Sequence, residues 1–465
     1  MKVHIENCGA IGFGTIDLSK QVTLFCGENG TGKTYFSYMI YGLLNTRFHI
    51  KSEDKIVEQL INEREVAFAI DFSKVVAYRK AMLENTRDNV DSIFGISSDD
   101  AEKIFKDLKI SFEDSEEEAE RILFDAEFIR TANIQGLKVQ LTKEKKSNNV
   151  HVKIQEKEIV PSDALAAINF LLYSFVYHSL AVYPLSGVTV FPVERNSIYT
   201  FSKELSIRKQ EALDNLQILV DKERKVSKFD IFFNSKRYPW PVRDGLMVAE
   251  DLVEKKKSKS KFYDFAECLE NELLHGKVQI SNDGEIQFKP LKSLRTVLPI
   301  QMTASIVKTL SSLVVYLKYI AHENDLIVID EPEINLHPNI QIILARILVR
   351  LSNRGFRLLV STHSDYIIRE VNNMVMLSHL SNKDSVAQRL GYMEDEILQS
   401  ENLGVYIFKY KNKRCKKVDL DSIEVSESGF SVPSIDDAIE KQNKMAEELF
   451  YLLKYSTNDE ERSEM

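Results

Sequence analysis

The chain has 465 residues, of which 44% are hydrophobic and 28% are charged, so it can bury a large core and has room for two or three domains. Its formal net charge of −9 argues against a generally basic, DNA-coating surface, although a local basic groove stays open. The four cysteines form no CxxC pair, which argues against a zinc or redox motif and favours reduced thiols in a cytoplasmic chain.

The amino-terminal residues predict three short strands, a glycine loop and a helix. The strands are expected at residues 2–6, 14–18 and 22–26, and the third is an apolar run that stops at a glycine, as a buried strand entering a loop does. Apolar residues at helical spacing follow at residues 34–44. The first unit of the chain is therefore a strand, a glycine loop and a helix.

The stretch from residue 50 to 135 is predicted to be mostly helical and acidic, and its charge run at 113–120 is interpreted as a solvated helix face. The apolar stretch 164–182 includes polar side chains, so it is expected to be a core helix and not a membrane span. Other patterns predict a hairpin at 137–142 and 150–155, a helix at 162–178 and a strand at 188–193.

Two charged stretches precede the second half of the chain. Residues 202–228 are predicted to form a helix that would span roughly 40 Å. Residues 255–261, with the sequence KKKSKSK, are interpreted as a basic surface loop, with nucleic-acid or partner contact as the alternative. A hairpin is expected at 278–280 and 286–288, because Asn-Asp-Gly lies between them.

Strands and helices then alternate, which is typical of a parallel, doubly wound sheet. The helices are expected at 301–321, 338–352 and 365–372, and the strands at 326–329 and 358–361. The carboxyl-terminal part predicts a few short strands, a helix near 434–453 and a disordered tail at 456–465.

The loop after the third strand fits the pattern GxxxxGK[ST] at every fixed position. In such a loop the backbone N–H groups face a β-phosphate, Lys33 supplies charge to the β- and γ-phosphates, and Thr34 offers its hydroxyl to Mg²⁺. The following helix directs its positive end at the same anion, so ATP and Mg²⁺ are the expected ligands. The candidate nucleotide-binding residues are Gly27, Asn29, Gly30, Thr31, Gly32, Lys33 and Thr34.

The strand predicted at 326–329 delivers Asp330 and Glu331 to its carboxyl end, where α/β sheets place their ligands. Asp330, together with Thr34, is the candidate metal ligand for Mg²⁺, and Glu331 is expected to orient or deprotonate the attacking water. His363 follows the next predicted strand and can reach the γ-phosphate, although a histidine there would by itself more often be structural. Glu331 and His363 are the candidate catalytic residues.

Several short segments accompany these motifs. They are Ile5-Glu6-Asn7, Tyr41-Gly42-Leu43, Phe191-Pro192-Val193-Glu194-Arg195, Asp330-Glu331-Pro332-Glu333, Asn335-Leu336-His337-Pro338 and Ser361-Thr362-His363-Ser364. Together they resemble the ABC-type ATPase heads, and more narrowly the AAA_21-type branch with the overcoming-lysogenization-defect (OLD) ATPases and related phage-defence ATPases. The resemblance covers most of the chain, strongly at both ends and weakly between residues 50 and 180.

The resemblance implies that each ATP is sandwiched between two heads, so the protein would be a homodimer or a higher oligomer. In this family a signature serine, usually followed by glycine, comes from the partner head. Ser305 holds the matching place and is the candidate nucleotide contact in trans, although the usual glycine is missing. A Q-loop glutamine is not identifiable, and Glu194 and Arg195 are placed only loosely in its neighbourhood.

Two relatives of such heads fit less well. The long segment between Lys33 and Asp330 shows no sustained heptad repeat, so the coiled-coil arms of SMC or Rad50-like proteins are not expected. OLD nucleases carry a Toprim domain that needs a glutamate and a DxD cluster. Asp419 and Asp421 form a formal DxD, but no apolar strand precedes it, so a nuclease site is not expected.

The expected fold is therefore α/β, an ABC-type P-loop ATPase head with a mostly helical insertion between its two halves. Residues 1–50 and 296–380 would form the two parts of the head. Residues 51–180 would be a helical and hairpin insertion that partly completes the head, and 181–295 a connecting segment with a helical arm and the basic loop. Residues 381–465 would form a small carboxyl-terminal domain and a tail.

Two functions fit these observations. The first is an ATPase subunit of a phage-defence complex that resembles the Septu, PARIS or retron-associated ATPases, in which ATP-driven oligomerisation controls a separately encoded effector, often an HNH or Toprim nuclease. The second is a RecF-like DNA-repair clamp that grips DNA through the basic clusters at 143–146 and 255–261. A scaffold that binds ATP without turnover is disfavoured by Glu331.

Overall fold

The computed structural model describes residues 1–46, 54–134, 137–155, 165–200, 238–292, 296–410 and 417–463, so the helix predicted at 202–228 lies outside the described residues. The strands are β1 (Lys2–Cys8), β2 (Ile11–Asp17), β3 (Val22–Gly27), β4 (Glu65–Ala69), β5 (Lys109–Phe112), β6 (Phe128–Ile134), β7 (Leu137–Lys143), β8 (Asn149–Ile154), β9 (Val188–Phe191), β10 (Gly276–Ile280), β11 (Ile286–Pro290), β12 (Leu298–Pro299), β13 (Leu326–Asp330), β14 (Arg357–Ser361), β15 (Leu403–Tyr410) and β16 (Val418–Ile423). The helices are α1 (Lys33–Asn45), α2 (Asp54–Glu63), α3 (Phe72–Asp88), α4 (Val90–Phe94), α5 (Ser98–Phe105), α6 (Glu116–Phe124), α7 (Leu165–Ala181), α8 (Trp240–Glu250), α9 (Leu252–Lys255), α10 (Tyr263–Leu269), α11 (Ser305–Tyr319), α12 (Pro338–Asn353), α13 (Asp365–Ser378), α14 (Lys383–Leu390) and α15 (Pro433–Ser463).

A nine-stranded sheet in the order β5-β1-β2-β16-β15-β3-β14-β13-β9 forms the centre of the molecule. All neighbours from β15 to β9 are parallel, whereas the other half of the sheet includes antiparallel pairs. The parallel sheet predicted from the alternation of strands and helices is therefore confirmed for five strands. Its parallel strands bring their carboxyl ends to one edge, where α/β proteins bind ligands.

Helices cover both faces of this sheet. Successive side chains of a strand point to opposite faces, so on β3 Phe25 faces one apolar core while Leu24 and Cys26 face the other. The first core contains side chains from α1, α3 and α7, and the second contains side chains from α10, α11, α12 and α13. Burial on both faces explains why the central strands read as continuous apolar runs. No helix among the described residues is long and apolar enough to cross a membrane.

The insertion after α1 is less helical than its sequence suggests. Strands β4 and β6 join the hairpin of β7 and β8 in a four-stranded sheet of order β4-β8-β7-β6, and β5 pairs with β1 at the edge of the main sheet. The hairpin itself is confirmed, with Leu141 opposite Val152. The strands were missed because β6 departs from a simple apolar-in, polar-out alternation, with Ile129 exposed and the charged Arg130 buried. The predicted helices around them also hid what period-two pattern remains.

The hairpin predicted near residue 283 is confirmed as β10 and β11, and β12 extends it to a three-stranded sheet.

The carboxyl-terminal segment is not a separate small domain. Its strands β15 and β16 lie inside the main sheet, between β3 and β2. On β15, Phe408 meets Phe25 and Phe36 edge to face, with ring centroids 5.0 and 6.0 Å away. The disorder predicted for residues 456–465 is also wrong up to Ser463, because α15 continues to that residue.

Replacing Phe408 by alanine should test whether β15 belongs to the head. Loss of a buried phenyl ring from this cluster should lower the free energy of unfolding by about 3–5 kcal/mol, measured by urea denaturation. Tyr410, 43% exposed on the same strand, is the matched control, and Tyr410→Ala should cost less than about 1 kcal/mol. A Phe408→Ala head as stable as the parent would contradict the shared core.

Candidate nucleotide site

The glycine loop connects β3, which lies between β15 and β14 in the parallel part of the sheet, to α1. Gly27 has a φ of +134°, and a Cβ there would collide with the carbonyl oxygen of Phe408 on the neighbouring strand. Gly32, the residue before α1, has a φ of +95°. Both conformations suit glycine alone, which is the physical reason for the motif's fixed glycines. The loop thus lies at the carboxyl edge of the sheet and at the positive end of a helix.

Lys33 is held inside this loop. Its Nζ donates hydrogen bonds to the carbonyl oxygens of Gly27, at 3.0 Å, and Glu28, at 2.9 Å. Burial lowers the pKa of the Lys33 ammonium, while the carboxylates of Asp330 and Glu331 act in the opposite direction. The loop therefore fixes a positive charge where a phosphate chain would lie.

Asp330 joins three elements of the site. Its carboxylate accepts a hydrogen bond from the Thr34 hydroxyl at 2.7 Å and another from the Ser361 hydroxyl. Asp330 and Ser361 are paired across β13 and β14, which explains the second contact. A hydroxyl and a carboxylate side by side are the oxygen ligands that Mg²⁺ uses in nucleotide sites, where phosphates and water complete its coordination. The pair of Thr34 and Asp330 therefore fits the predicted metal site.

Glu331 and His363 lie next to each other at the same edge. Their side chains approach to 3.8 Å between Oε1 and Nε2, and each is about one-third exposed (32% and 30%). Burial and the adjacent Asp330 raise the pKa of the Glu331 carboxyl, whereas burial and Lys33 lower the pKa of His363. A carboxylate with a raised pKa accepts protons more readily, and a neutral imidazole can donate a hydrogen bond to an anion.

Arg195, which the sequence placed only loosely, contacts the backbone of the candidate site. Its guanidinium donates to the carbonyl oxygens of Asp330 and Glu331, both at 2.7 Å, and to that of Pro192 at 3.0 Å. The side chain is buried, and burial lowers its pKa to about 10. Glu331 has a φ of +46°, an uncommon conformation for a residue with a side chain. Arg195 therefore fixes the backbone at the point where Glu331 turns towards the site.

Glu333 ties the loop after β13 to the loop after β14. One carboxylate oxygen accepts from the Thr362 hydroxyl at 2.9 Å and from the backbone N–H of His363 at 2.7 Å. Burial raises the pKa of this carboxyl, and the hydrogen bonds to it act in the opposite direction. The sequence offered Glu333 only as part of a resemblance, because its partners lie about thirty residues away.

Ser305 is exposed at the first residue of α11. The side chains described above come from the ends of β3, β13 and β14, the start of α1 and the turn after β9. A nucleotide contact from Ser305 would need a second copy of the chain, so its role in trans stays a prediction.

Replacing Arg195 by methionine should remove the guanidinium from three carbonyl oxygens, of which those of Pro192 and Glu331 keep a backbone N–H donor. Because a buried unpaired acceptor costs about 1–3 kcal/mol, we expect the free energy of unfolding in urea to fall by about that amount. Arg389→Met, on the exposed surface of α14, should change it by less than about 0.5 kcal/mol. Equal stability of the two variants would show that Arg195 does not hold the backbone of Asp330 and Glu331.

Comparisons with known proteins were made for sequence and structure. No curated protein matches the chain. A structure of an Smc head bound to the C-winged helix domain of ScpA is 11% identical, with 92% of this chain and 98% of that chain covered and a TM-score of 0.35. An Smc head domain with an extended coiled coil, bound to the C-terminal domain of ScpA and derived from Pyrococcus furiosus, is 14% identical, with 96% and 98% covered and a TM-score of 0.36. An SMC head domain from Thermotoga maritima is 12% identical, with 91% and 98% covered and a TM-score of 0.32.

A family model described as AAA ATPase domain (AAA_15) matches residues 1–368, which is most of the chain. ATPases of this kind bind ATP, generally with Mg²⁺. The predicted fold class, an α/β head of a P-loop ATPase, is confirmed. The chain belongs to the AAA ATPase domain family.

Proposed function

We propose that this protein binds ATP with Mg²⁺ at the glycine loop and hydrolyses it with Glu331 as the general base. The observation that carries the proposal is the meeting of Lys33, Thr34, Asp330, Glu331 and His363 at one edge of the parallel sheet. The Thr34 hydroxyl lies 2.7 Å from a carboxylate oxygen of Asp330, and Oε1 of Glu331 lies 3.8 Å from Nε2 of His363. These are the charges and hydrogen-bonding groups that phosphoryl transfer to water requires.

The proposed role of each residue follows from its position. Lys33 and the loop N–H groups bind the phosphates, and Thr34 with Asp330 would hold Mg²⁺, which supplies positive charge to the β- and γ-phosphates. Glu331 accepts a proton from water as the water oxygen attacks the γ-phosphorus and the bond to the β–γ bridging oxygen breaks. His363 donates a hydrogen bond to the γ-phosphate. The products are ADP and inorganic phosphate.

A second copy of the chain would complete the site. The support is the family resemblance of the motifs and the exposed position of Ser305 at the start of a helix, where a backbone N–H end can face a phosphate of the partner's nucleotide. ATP would then bring two heads together, and hydrolysis would release them. We expect turnover to be slow, because each cycle includes this change of assembly.

We further propose that this cycle controls a separately encoded effector, an HNH or Toprim nuclease, in cytoplasmic defence against phage. The resemblance of the motifs to Septu, PARIS and retron-associated ATPases supports this role. The DxD of this chain lies on β16 inside the head sheet, and Asp421 is paired there with Lys409 at 2.6 Å. Within the described ranges, no group of three or more acidic, histidine or cysteine side chains could hold a metal ion.

The DNA-clamp alternative finds less support in the two basic clusters. Lys143 is buried, and its Nζ donates to the carbonyl oxygen of Glu144 at 2.8 Å. In the second cluster, the Nζ of Lys256 donates to the Ser281 carbonyl at 2.7 Å. Three other lysines of this cluster also contact residues of the same chain. Lys257 forms an ion pair with Glu254, Lys261 forms one with Glu323, and Lys259 makes a cation–π contact with the Tyr263 ring.

Replacing Glu331 by glutamine should separate binding from hydrolysis. Without the base, we expect ATP turnover to fall at least about 100-fold, while ATP binding is kept and the closed dimer accumulates. Turnover is measured by phosphate release, and head closure by energy transfer between fluorescent labels on the two heads, with ATP and Mg²⁺. Glu394→Gln, at an exposed site, should behave like the parent. If Glu331→Gln hydrolyses ATP as fast as the parent, Glu331 is not the base.

Expression together with the native flanking genes should distinguish the two roles of the ATPase. We expect a nuclease subunit to co-purify and the mass of the complex to show its stoichiometry. In the absence of that subunit, we expect weak binding of duplex DNA that does not respond to ATP, measured by fluorescence anisotropy at two salt concentrations. Tight, ATP-dependent and salt-sensitive DNA binding, lost on changing Lys255 and Lys257 to glutamate, would instead support the clamp.

A further inference from the structure

The last helix carries a surface that neither the fold nor the nucleotide site uses. Helix α15 has 31 residues. At 1.5 Å per residue it is about 46 Å long. It starts against the head, where Val432 is buried and Ile435 is half-buried, and it is exposed from residue 440 to residue 454. Among its exposed residues are large apolar side chains, with Met445 at 53% and Leu449 and Leu452 at 60% exposure.

Met445, Leu449 and Leu452 lie on a stripe of α15 with heptad spacing, whereas the exposed Phe450, Tyr451 and Leu453 lie off it. Steps of three and four residues alternate along the series, which places its members on one stripe of the helix. With Ile435 at position a, the series is Ile435, Ala438, Gln442, Met445, Leu449 and Leu452. A solvent-exposed stripe of this kind is unfavourable for a soluble monomer, and its 3.5-residue period matches a second helix.

The sequence of α15 complements itself when two copies run antiparallel. In such a pair, a positions meet d positions, so Ala438 packs on the partner's Leu449 and Gln442 on the partner's Met445. The small Ala438 thus lies opposite the large Leu449, and the dyad passes between residues 443 and 444. Every core position from 438 to 449 is exposed and has an exposed partner. Ile435, opposite the partner's Leu452, also packs against its own head.

The charges beside the stripe favour the same register. Lys441 and Glu448 occupy g positions, which face each other across an antiparallel pair. In the register above, Lys441 lies beside the partner's Glu448, and symmetry repeats this opposite-charge contact. On the other flank, Ile439 lies beside the partner's Ala446, and both are apolar. A parallel pair would place Lys441 beside the partner's Ala446 and lose the charge complementarity.

We propose that α15 joins two copies of this chain through an antiparallel coiled coil centred between residues 443 and 444. Gln442 is the polar core residue of this pair, and a single polar residue at an a position specifies register at a cost in stability. The contact needs no nucleotide, because it lies outside the site at the edge of the main sheet. Two separate contacts would then connect the copies, one permanent through α15 and one that ATP closes between heads.

The proposal is tested on the full-length chain without nucleotide, by sedimentation velocity over a range of micromolar concentrations. We expect a dimer. Leu449→Lys places two charged lysines in the seam, one from each copy, so the dimer dissociation constant should rise at least about 100-fold. The fold of the head is checked by urea denaturation, which this exposed substitution should leave unchanged.

Charge reversal tests the register. Lys441→Glu and Glu448→Lys each place like charges beside one another twice, and each should raise the dissociation constant by roughly tenfold. The double variant restores opposite charges and should return the constant to near that of the parent. Glu447→Lys makes the same charge change on the outer face of α15 and should have little effect.

Several results would overturn the coiled coil. They are a nucleotide-free chain that stays monomeric, a dimer indifferent to Leu449→Lys, and a double charge variant no better than either single one. A monomer that captures a different protein on α15 would also overturn it. Lys33→Ala, which removes ATP binding, should leave this dimer intact, so failure of the proposed ATPase and failure of the coiled coil give different results.

Discussion

The carboxylate of Asp330 is the contact around which the site is built. It ends β13 and accepts hydrogen bonds from Thr34 at the start of α1 and from Ser361 at the end of β14. Three elements that are far apart in the chain are thereby fixed at one edge of the sheet. The glycine loop, Glu331 and His363 take their positions relative to this carboxylate, since Glu331 follows it directly and His363 lies two residues after Ser361.

This arrangement concentrates charge in a partly buried region, which is stable only if the charges compensate one another. Lys33 lies among backbone carbonyls and near two carboxylates, and Arg195 neutralises the backbone dipoles at the end of β13. One oxygen of the Glu333 carboxyl accepts two hydrogen bonds from the loop that carries His363. Such compensation fixes the groups in advance, so that little reorganisation is needed when a phosphate chain binds.

The carboxyl-terminal strands also help to shape the nucleotide site. Strand β15 lies directly beside β3, and the close approach of the Phe408 carbonyl to Gly27 leaves no room for a side chain in the nucleotide loop. A strand from the carboxyl-terminal segment therefore lies directly beside the strand that carries the glycine loop. Helix α15 leaves the head after these strands, which connects a surface for a second copy to the body that binds ATP.

Local patterns were sufficient for much of this protein. The glycine loop, the apolar strand before Asp330 and Glu331, and the helix near 434–453 were each predicted from adjacent residues, because backbone conformation and helical period are local properties. What the sequence could not provide were the contacts between distant segments. Arg195 is 135 residues from Asp330, and its role depends on a hydrogen bond formed only when β9 lies beside β13. The insertion of β15 and β16 beside β3 was likewise decided by the tertiary structure, because strand order depends on which apolar faces can be buried together and not on the pattern within any one strand.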